Sequence, residues 1–415
     1  MTCRTLLVAL PLCLLGQALS AQQAPAPPSA VRSPEIGPDR RVTFRVYAPE
    51  AKAVSVVCEC FTLEQVARLT QEQAQLAQRH SATDPEMVAI ARAIEATKAN
   101  QGQRPLTKGA SGVWSLTVGP VEPDVYEYHY TVDGTDSLDQ RNPVVKYNSR
   151  PNLIESLLEV PGDQPLFYDV RQVPHGAVEI RYYTSKSTGG TRRAFVYTPP
   201  GYDRSTAKLP VLYLLHGGDG DESVWTTFGR AHLILDNLIA DKKAGPMMIV
   251  MPFGYAYPWY VGAANDKQRA DFEKDLVDDL IPFVQANYRV AADRDHRALA
   301  GLSMGGGQTL SIGPRRLDLF SRLAVFSAGA GADPQATLKD LVPNRVNAQV
   351  KLFWMGIGTE DPGFVNAKKA SDYLDSVGVK HTFRTIPGAH TWIVWRRFLN
   401  EVAPQLFAPG QGLTN

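Results

Sequence analysis

The sequence predicts an α/β fold with a mostly parallel sheet, preceded by a small β-sandwich that carries a helical insertion. Two patterns predict this architecture. From about residue 177 onward, apolar strand-like segments alternate with helix-like segments over short connections, which is typical of a sheet covered by helices on both faces. Before residue 160, segments of alternating polarity are separated by Gly-Pro and Asp-Gly turns, which is typical of β-hairpins. The length of 415 residues also suggests two domains.

The first residues have the pattern of a secretory signal peptide. Arg4 precedes an apolar run from Leu6 to Leu15, and small residues follow up to Ala21. We therefore predict a signal peptide over residues 1–21 and a secreted or periplasmic protein. Residues 22–37 are rich in proline, alanine and serine, which predicts a flexible leader. No later segment is apolar for long enough to span a bilayer.

The predicted sandwich covers residues 38–160, and its helical insertion covers about 62–99. Thr62 to Gln65 has the pattern of a capping box, and Met87, Ile90 and Ile94 follow at helical spacing. Cys58 and Cys60 lie two residues apart on a predicted strand, and we do not expect them to bond each other. We therefore predict neither a disulfide framework nor a zinc site.

A linker over residues 161–176 leads to the second domain, which is predicted over residues 177–410. Its strands are predicted at 178–184, 193–198, 209–215, 246–251, 296–302, 322–327, 350–357 and 380–386. Its helices are predicted at 228–241, 268–287, 304–312, 364–377 and 391–402. In a sheet of this kind, the functional loops gather at the carboxyl ends of the strands.

The stretch from Gly301 to Gly305 reads Gly-Leu-Ser-Met-Gly and is the most informative motif of the chain. A short apolar segment precedes it and a helix-like segment follows it. A strand that turns sharply into a helix exposes a serine hydroxyl, and glycines are needed because such a turn is crowded. Ser303 is therefore the predicted nucleophile.

A serine nucleophile needs a histidine to take its proton and a carboxylate to orient that histidine. Around a motif of this type, the chain order is serine, acid, histidine. His390 lies on a turn-rich loop after the last predicted strand and is preferred to His381, which opens that strand. Asp361 follows a strand that ends in glycine and is preferred as the acid to its neighbour Glu360.

Two backbone N–H groups are needed to stabilise an oxyanion. The residue after the nucleophile, Met304, supplies one. Gly218, on a glycine-rich loop after the predicted strand 209–215, is chosen for the other, with Gly217 as the alternative. His216 precedes Ser303 in the chain, so we interpret it as a brace for this loop. The helical insertion either decorates the sandwich or leans over the site.

Several motifs of the second domain resemble those of the esterase D-like α/β-hydrolases, above all the feruloyl and acetyl-xylan esterases of carbohydrate esterase family one. These motifs are His216-Gly217-Gly218, Trp225 with Gly229-Arg230, Val250-Met251-Pro252, Leu280-Ile281-Pro282-Phe283, Gly301 to Gly307, Gly358-Thr359-Glu360-Asp361, His390-Thr391-Trp392 and Trp395-Arg396. The first domain resembles the immunoglobulin-like E-set modules, related to glycogen-binding modules, in Phe44 to Pro49 and Asp139 to Pro143. The helical insertion departs from that module.

The resemblance implies a secreted serine esterase that removes feruloyl or acetyl groups from plant polysaccharide such as xylan, with no cofactor and no metal. Its partner would be an esterified polysaccharide or oligosaccharide. Five aromatic residues are candidates for stacking on a feruloyl ring or a sugar, with ordinary packing as the alternative for each: Trp225, Tyr257, Trp259, Tyr260 and Trp392.

Three other functions stay open at this point. They are hydrolysis of enterobactin-type siderophore esters, acyl transfer to a sugar, and carbohydrate binding by an inactive hydrolase domain. The net charge of +1, from 43 basic and 42 acidic residues, gives no indication of a nucleic-acid or anionic-membrane partner. The sequence specifies neither the acyl group nor the oligomeric state.

Overall fold

A computed structural model describes residues 31–61, 64–147, 155–218, 220–257, 265–331 and 333–407. The predicted signal peptide and most of the predicted leader lie outside these ranges. Within them, no helix combines the length and the apolar character that a membrane crossing requires.

The first part of the chain forms two antiparallel sheets. Their strands are β1 (Glu35–Ile36), β2 (Val42–Tyr47), β3 (Val54–Cys58), β4 (Gln103–Pro105), β5 (Thr107–Lys108), β6 (Val113–Val118), β7 (Asp124–Val132), β8 (Thr135–Ser137), β9 (Val145–Lys146) and β10 (Glu155–Val160). One sheet has the order β1-β2-β6-β5, and the other has the order β4-β3-β7-β10-β9 with β8 paired to β7. Alternate residues of β2, β3 and β7, such as Phe44, Val56 and Tyr130, meet in a shared core. This agrees with the predicted sandwich.

Two helices, α1 (Glu64–Leu76) and α2 (Pro85–Gln101), connect β3 to β4. Met87 of α2 is fully buried and packs in one cluster with Ile357 and Phe364 of the second domain. The backbone N–H of Ala82 donates to Oδ2 of Asp372 at 3.0 Å. The insertion therefore leans against the second domain, and a cavity of about 310 Å³ separates part of α1 and α2 from the loop that holds Asp361.

The second part of the chain forms an eight-stranded sheet in the order β11-β12-β14-β13-β15-β16-β17-β18. The strands are β11 (Ala177–Ser185), β12 (Gly190–Thr198), β13 (Val211–Leu215), β14 (Met248–Pro252), β15 (Arg297–Leu302), β16 (Arg322–Phe326), β17 (Leu352–Gly358) and β18 (Thr382–Ile386). The strands from β14 to β18 in this order are parallel, and β11 and β12 are antiparallel to their neighbours. The predicted fold class is confirmed.

The helices of this part are α3 (Val224–Thr227), α4 (Ala231–Ala240), α5 (Asp266–Lys274), α6 (Ile281–Asn287), α7 (Met304–Ile312), α8 (Pro334–Thr337), α9 (Pro343–Gln349), α10 (Phe364–Ser376) and α11 (Trp392–Leu406). A π-helical segment, Asp275–Leu280, joins α5 to α6. The single helix predicted over 268–287 thus has a widened turn at its centre. The central strands β13 to β16 are buried at every position, because helices cover both faces of the sheet.

The structure corrects the expectation for the two cysteines of the sandwich. Cys58 and Cys60 form a disulfide, with their Cα atoms 5.1 Å apart. The expectation assumed that both residues lie on one extended strand, where such neighbours rarely bond. In the structure β3 ends at Cys58 and the chain turns at Cys60, which brings the two sulfurs together.

One buried ion pair connects the sandwich to the second domain. Arg396 of α11 is fully buried and donates to Oδ1 of Asp124, at the start of β7, at 2.7 Å and to the carbonyl oxygen of Val125 at 3.0 Å. Tyr168 donates to the same Asp124 oxygen at 2.7 Å, and its ring lies 4.7 Å from the Arg396 guanidinium carbon. The contact fixes α11 against the sandwich.

His216, which follows β13, braces the loops at the carboxyl edge of the sheet. Its Nδ1 lies 2.7 Å from the carbonyl oxygen of Gly217, and its Nε2 accepts the backbone N–H of Gly254 at 2.8 Å. The first contact makes Nδ1 the protonated nitrogen of a neutral ring. Burial lowers the pKa of His216 to about 4, because the site disfavours the charged ring.

Removing Arg396 is expected to destabilise the protein strongly. Arg396→Met should lower the free energy of unfolding by about 3 kcal/mol, because the buried Asp124 carboxylate keeps only the half-exposed Arg397, at 2.9 Å, as a charged partner. The double variant Asp124→Leu/Arg396→Met should recover part of that loss. Urea unfolding followed by tryptophan fluorescence measures both.

The matched control for this prediction is Arg384, which pairs with Glu401 at 3.0 Å with side chains 49% and 37% exposed. Arg384→Met should change stability by less than about 1 kcal/mol, because exposed pairs contribute little. Equal losses in the two arginine variants would contradict the assigned role of Arg396.

The neutral His216 should make stability depend on pH. The unfolded chain binds a proton at this residue near pH 6.5 and the folded chain only near pH 4. Its contribution is therefore complete above pH 6.5 and is lost as the pH falls toward 4, by up to about 3 kcal/mol. Thermal unfolding of wild type and His216→Asn from pH 7 to 4 should show a weaker acid slope in the variant. An acid slope in His216→Asn equal to that of wild type would contradict this role of His216.

Candidate active site

Ser303 occupies the sharp turn between β15 and α7. Its φ is 51°, a region that residues with a side chain rarely adopt. Its backbone N–H donates to the carbonyl oxygen of Phe326 at 2.8 Å, which holds the turn against β16. A Cβ on Gly301 would lie 2.5 Å from the backbone of Gly305, and a Cβ on Gly305 would lie 2.6 Å from Leu215. Both positions flanking the serine therefore require glycine.

The predicted base and acid lie beside this serine. Nε2 of His390 lies 2.9 Å from Oγ of Ser303, and Nδ1 lies 2.8 Å from Oδ2 of Asp361. The Asp361 side chain is fully buried, whereas the His390 side chain is 36% exposed. The other Asp361 oxygen accepts the backbone N–H of Gly363 at 2.8 Å. The structure therefore brings together the three predicted residues in one hydrogen-bonded chain.

The alternatives for base and acid make other contacts. Nε2 of His381 lies 2.8 Å from Oγ of Ser371, and its Nδ1 lies 3.1 Å from the carbonyl oxygen of Val379. The backbone N–H of Glu360 donates to Gly388 at 2.9 Å, while its neighbour Asp361 holds the His390 ring. The geometry favours the predicted pair over both alternatives.

The predicted oxyanion donors lie on the loops beside Ser303. Gly217 and Gly218 line the same cavity as Ser303 and His390. The phenol of Tyr255 donates to the carbonyl oxygen of Gly218 at 2.6 Å, which fixes that peptide. Over the described residues, the backbone N–H groups of Met304 and Gly218 donate to no other protein atom. Both are therefore available to a ligand, and Gly217 stays as the alternative.

The loop that carries Tyr255 is held from behind by Arg192. The Arg192 guanidinium donates to the backbone carbonyl oxygens of Phe253, Tyr255 and Ala256 at 2.6 to 2.8 Å. It also forms a buried ion pair with Asp275 at 2.9 Å. The same loop contributes the Gly254 N–H that His216 accepts. The position of the Gly218 peptide thus depends, through Tyr255, on Arg192 of β12.

The cavity in front of Ser303 has a volume of about 210 Å³. Its apolar lining consists of Val224, Leu302, Trp392 and Trp395. A second part of its lining is charged and comes from the sandwich: Glu59, Glu127, Lys146 and Glu155. The site therefore lies where the two parts of the chain meet.

The five aromatic candidates have different positions. Trp392 lines the cavity, although it is only 4% exposed. Trp225 is 1% exposed and its indole N–H donates to Leu215 at 3.0 Å, so the predicted substrate contact is wrong and the residue packs in the core. The phenol of Tyr257 donates to Asp271 at 2.9 Å, outside the lining of the cavity. Trp259 and Tyr260 lie outside the described residues.

The sequence reasoning missed two groups of cavity residues. Trp395 lies one helical turn after Trp392. Its ring packs edge to face with the His390 ring, with the ring centroids 5.0 Å apart. Its indole N–H donates to Oγ of Ser327 at 2.9 Å. Its spacing from Trp392 was an available signal. The charged residues of the sandwich carried no comparable signal, because no local pattern relates them to Ser303.

The described residues include one group that could hold a metal ion, and it lies on the helical insertion. It consists of His80, Asp84 and Glu86, with Nδ1 of His80 2.8 Å from Oδ2 of Asp84. None of the three lines the cavity at Ser303.

Comparison with known proteins connects this geometry to a family. Residues 185–406 match the family model described as "Putative esterase". A protein of Xylanibacter ruminicola named endo-1,4-β-xylanase/feruloyl esterase is 35% identical over 315 residues, which are 74% of this chain and 42% of that protein. The chain thus spans less than half the length of that relative.

Two solved structures are similar in fold. The enterobactin esterase of Shigella flexneri matches 88% of this chain and 92% of its own, with a TM-score of 0.61 and 18% identity. A feruloyl esterase module of Clostridium thermocellum in complex with sinapinate matches 60% of this chain and 94% of its own, with a TM-score of 0.51 and 21% identity. Because the family model covers more than half of the chain and the motifs around Ser303 agree with it, the chain belongs to the esterase D-like esterases of the α/β-hydrolase fold.

Proposed function

We propose that this protein is a secreted serine carboxylic-ester hydrolase that removes feruloyl or acetyl groups from plant polysaccharide. The observation that carries the proposal is the hydrogen-bonded chain from Ser303 through His390 to Asp361, which faces a cavity between the two domains. The relative from Xylanibacter ruminicola, with its xylanase and feruloyl esterase name, supports the choice of substrate.

The geometry supports acyl transfer through an acyl-enzyme. His390 Nε2 takes the proton of Ser303 Oγ, 2.9 Å away, as the oxygen attacks the ester carbonyl. The carboxylate of Asp361 stays ionised, keeps the proton of His390 on Nδ1 and stabilises the imidazolium that forms. The N–H groups of Met304 and Gly218 stabilise the oxyanion.

Departure of the alcohol completes the first half of the reaction. His390 gives its proton to the departing alcohol oxygen, which leaves the acyl group on Ser303. In the second half, a water molecule attacks the acyl-enzyme while His390 takes its proton, and His390 then returns that proton to Ser303 Oγ as the carboxylic acid is released. No step requires a group other than these side chains, the backbone donors and water.

A second candidate is hydrolysis of an enterobactin-type siderophore ester. The observation that favours it is the match to the Shigella flexneri enterobactin esterase, which extends over 88% of the chain and so includes the sandwich. The proposed secretion argues against it, since siderophore esters are expected to be opened inside the cell. Parallel assays on methyl ferulate, acetylated xylan and enterobactin discriminate between the candidates.

Replacing the nucleophile should abolish turnover. Ser303→Ala is expected to lower kcat on methyl ferulate or 4-nitrophenyl acetate by about 10⁴-fold or more, because the triad acts as a unit. Initial rates measured by liquid chromatography or absorbance test this. A fluorophosphonate probe should label wild type and leave the variant unlabelled.

Ser376→Ala is the matched control, since its hydroxyl donates to the Tyr373 carbonyl oxygen on the exposed end of α10. It should keep the wild-type rate. Turnover by Ser303→Ala at the wild-type rate would refute the mechanism, and wild-type protein that the probe does not label would favour the inactive carbohydrate-binding alternative. A new sugar ester formed in the presence of alcohol acceptors would favour acyl transfer.

Neighbouring carboxylates should differ sharply in their effect on activity. Asp361→Asn is expected to lower kcat by about 10³- to 10⁴-fold, because an amide favours the wrong His390 tautomer. Glu360→Gln should change kcat by less than about threefold. Steady-state kinetics of both variants on one substrate compare them, and a larger loss in Glu360→Gln would reverse the assignment of the acid.

A further inference from the structure

The sandwich supplies a charged wall to the cavity that holds Ser303 and His390. Four of its residues line this cavity: Glu59, Glu127, Lys146 and Glu155. They come from the turn after β3 and from strands β7, β9 and β10, which are neighbours or near neighbours in one sheet. Any ester that reaches Ser303 through this cavity must therefore meet them.

Contacts among these residues hold them in place. The backbone N–H of Glu127 donates to Oε2 of Glu59 at 3.0 Å, and the Lys146 ammonium forms an ion pair with Glu127. The side chains of Lys146 and Glu127 are only 11% and 14% exposed. Lys146 also lies 5.5 Å above the ring of Phe228 in the second domain. The wall is thus preorganised, with few rotamers left to restrict on binding.

The environment sets the hydrogen-bonding character of the wall. Burial raises the pKa of Glu59 to about 8, with the nearby Glu127 as a further cause and with Lys146 and Arg396 opposing the shift. Burial also raises the pKa of Glu127, against the lowering effect of Lys146. At neutral pH, Glu59 therefore keeps a proton and can donate a hydrogen bond. Glu127 accepts a hydrogen bond from the Lys146 ammonium, which has further N–H groups to donate.

We propose that Glu59, Glu127 and Lys146 bind the hydroxyl groups of the sugar alcohol whose ester is cleaved at Ser303. This inference rests on the proposed function and adds a subsite that lies on the other domain. Closely spaced donors and acceptors match a neutral molecule with several hydroxyls, each of which both donates and accepts.

The two halves of the cavity divide the ester between them. The apolar side chains Val224, Leu302 and Trp392 suit the acyl group, since they offer contact area without hydrogen bonds. A phenolic acyl group has too few hydroxyls to engage these three polar side chains at once. An anionic sugar would meet the three carboxyl groups of the wall, so the preferred alcohol is an uncharged sugar.

The test compares two esters with the same acyl group and different alcohols. Methyl ferulate has no sugar, whereas feruloyl arabinose has one. Glu59→Met should raise KM for feruloyl arabinose about tenfold and change KM for methyl ferulate by less than twofold, because only the sugar loses its hydrogen bonds. Glu59→Gln, which keeps a donor and an acceptor, should restore most of the affinity.

A second variant removes the other two groups together. Glu127→Met/Lys146→Met leaves no unpaired charge of that pair behind and should show the same selective rise in KM. Glu50→Met changes an exposed residue of the same sandwich and serves as the control, with no effect on either ester. The unchanged rate on methyl ferulate shows in each case that the variant is folded.

The outcomes separate this inference from the proposed function. Wild-type protein that hydrolyses neither ester would overturn the proposed function and this inference with it. Wild-type protein that hydrolyses both, with variants that change KM equally for the two esters or for neither, would overturn this inference alone. A selective rise for feruloyl arabinose, rescued by Glu59→Gln, supports it.

Discussion

The arrangement of the whole site depends on the buried contact between Asp124 and Arg396. A fully buried guanidinium is tolerable only if its charge is compensated, and here the compensating carboxylate belongs to the other domain. Arg396 lies on the same helix as Trp392 and Trp395, which line the cavity, and six residues after His390. The ion pair therefore fixes both the helix that follows the proposed base and the sandwich wall that faces it.

The surroundings of Ser303 show a second constraint, which is steric. The positive φ of the serine is stabilised by the fit of β15 and α7, where glycines approach Leu215, Phe326 and each other at distances that leave no room for a Cβ. Such strain persists only where the neighbouring structure holds it in place. The backbone N–H of Gly305 donates to the carbonyl oxygen of His216 at 3.1 Å, which connects this turn to the loop that the His216 ring braces.

Local sequence was informative wherever the structure depends on local geometry. The turn at Ser303 needs glycines at fixed positions, and the order of serine, acid and histidine follows from the order of the strands, so these residues could be predicted without coordinates. Within the turn that follows β17, Asp361 was preferred to Glu360, and the structure places Asp361 against His390.

The remainder depends on contacts between distant parts of the chain. Trp225 and Trp392 look alike in sequence, yet one is enclosed by Phe326 and Trp392 while the other reaches the cavity. The disulfide required knowledge of where β3 ends. The contribution of Glu59, Glu127 and Lys146 arises only when two domains dock, and no periodicity within either domain encodes that docking.

The N-terminal part of the chain therefore supports the site from two directions. Through Arg396 it holds the helix that begins two residues after His390, and through Met87 it packs against Ile357 and Phe364, which lie before and after Asp361 in sequence. Ser303, in contrast, is held by the central strands of the second domain. Asp361 and His390, which are proposed to orient and transfer the proton, thus lie on segments that the first part of the chain helps to position. The proposed nucleophile, Ser303, does not lie on such a segment. Without the sandwich, the second domain would retain the turn at Ser303. It would lose the contacts that hold α11 and the segment around Asp361 on either side of His390. The sandwich is consequently part of the site's architecture rather than a module attached beside it.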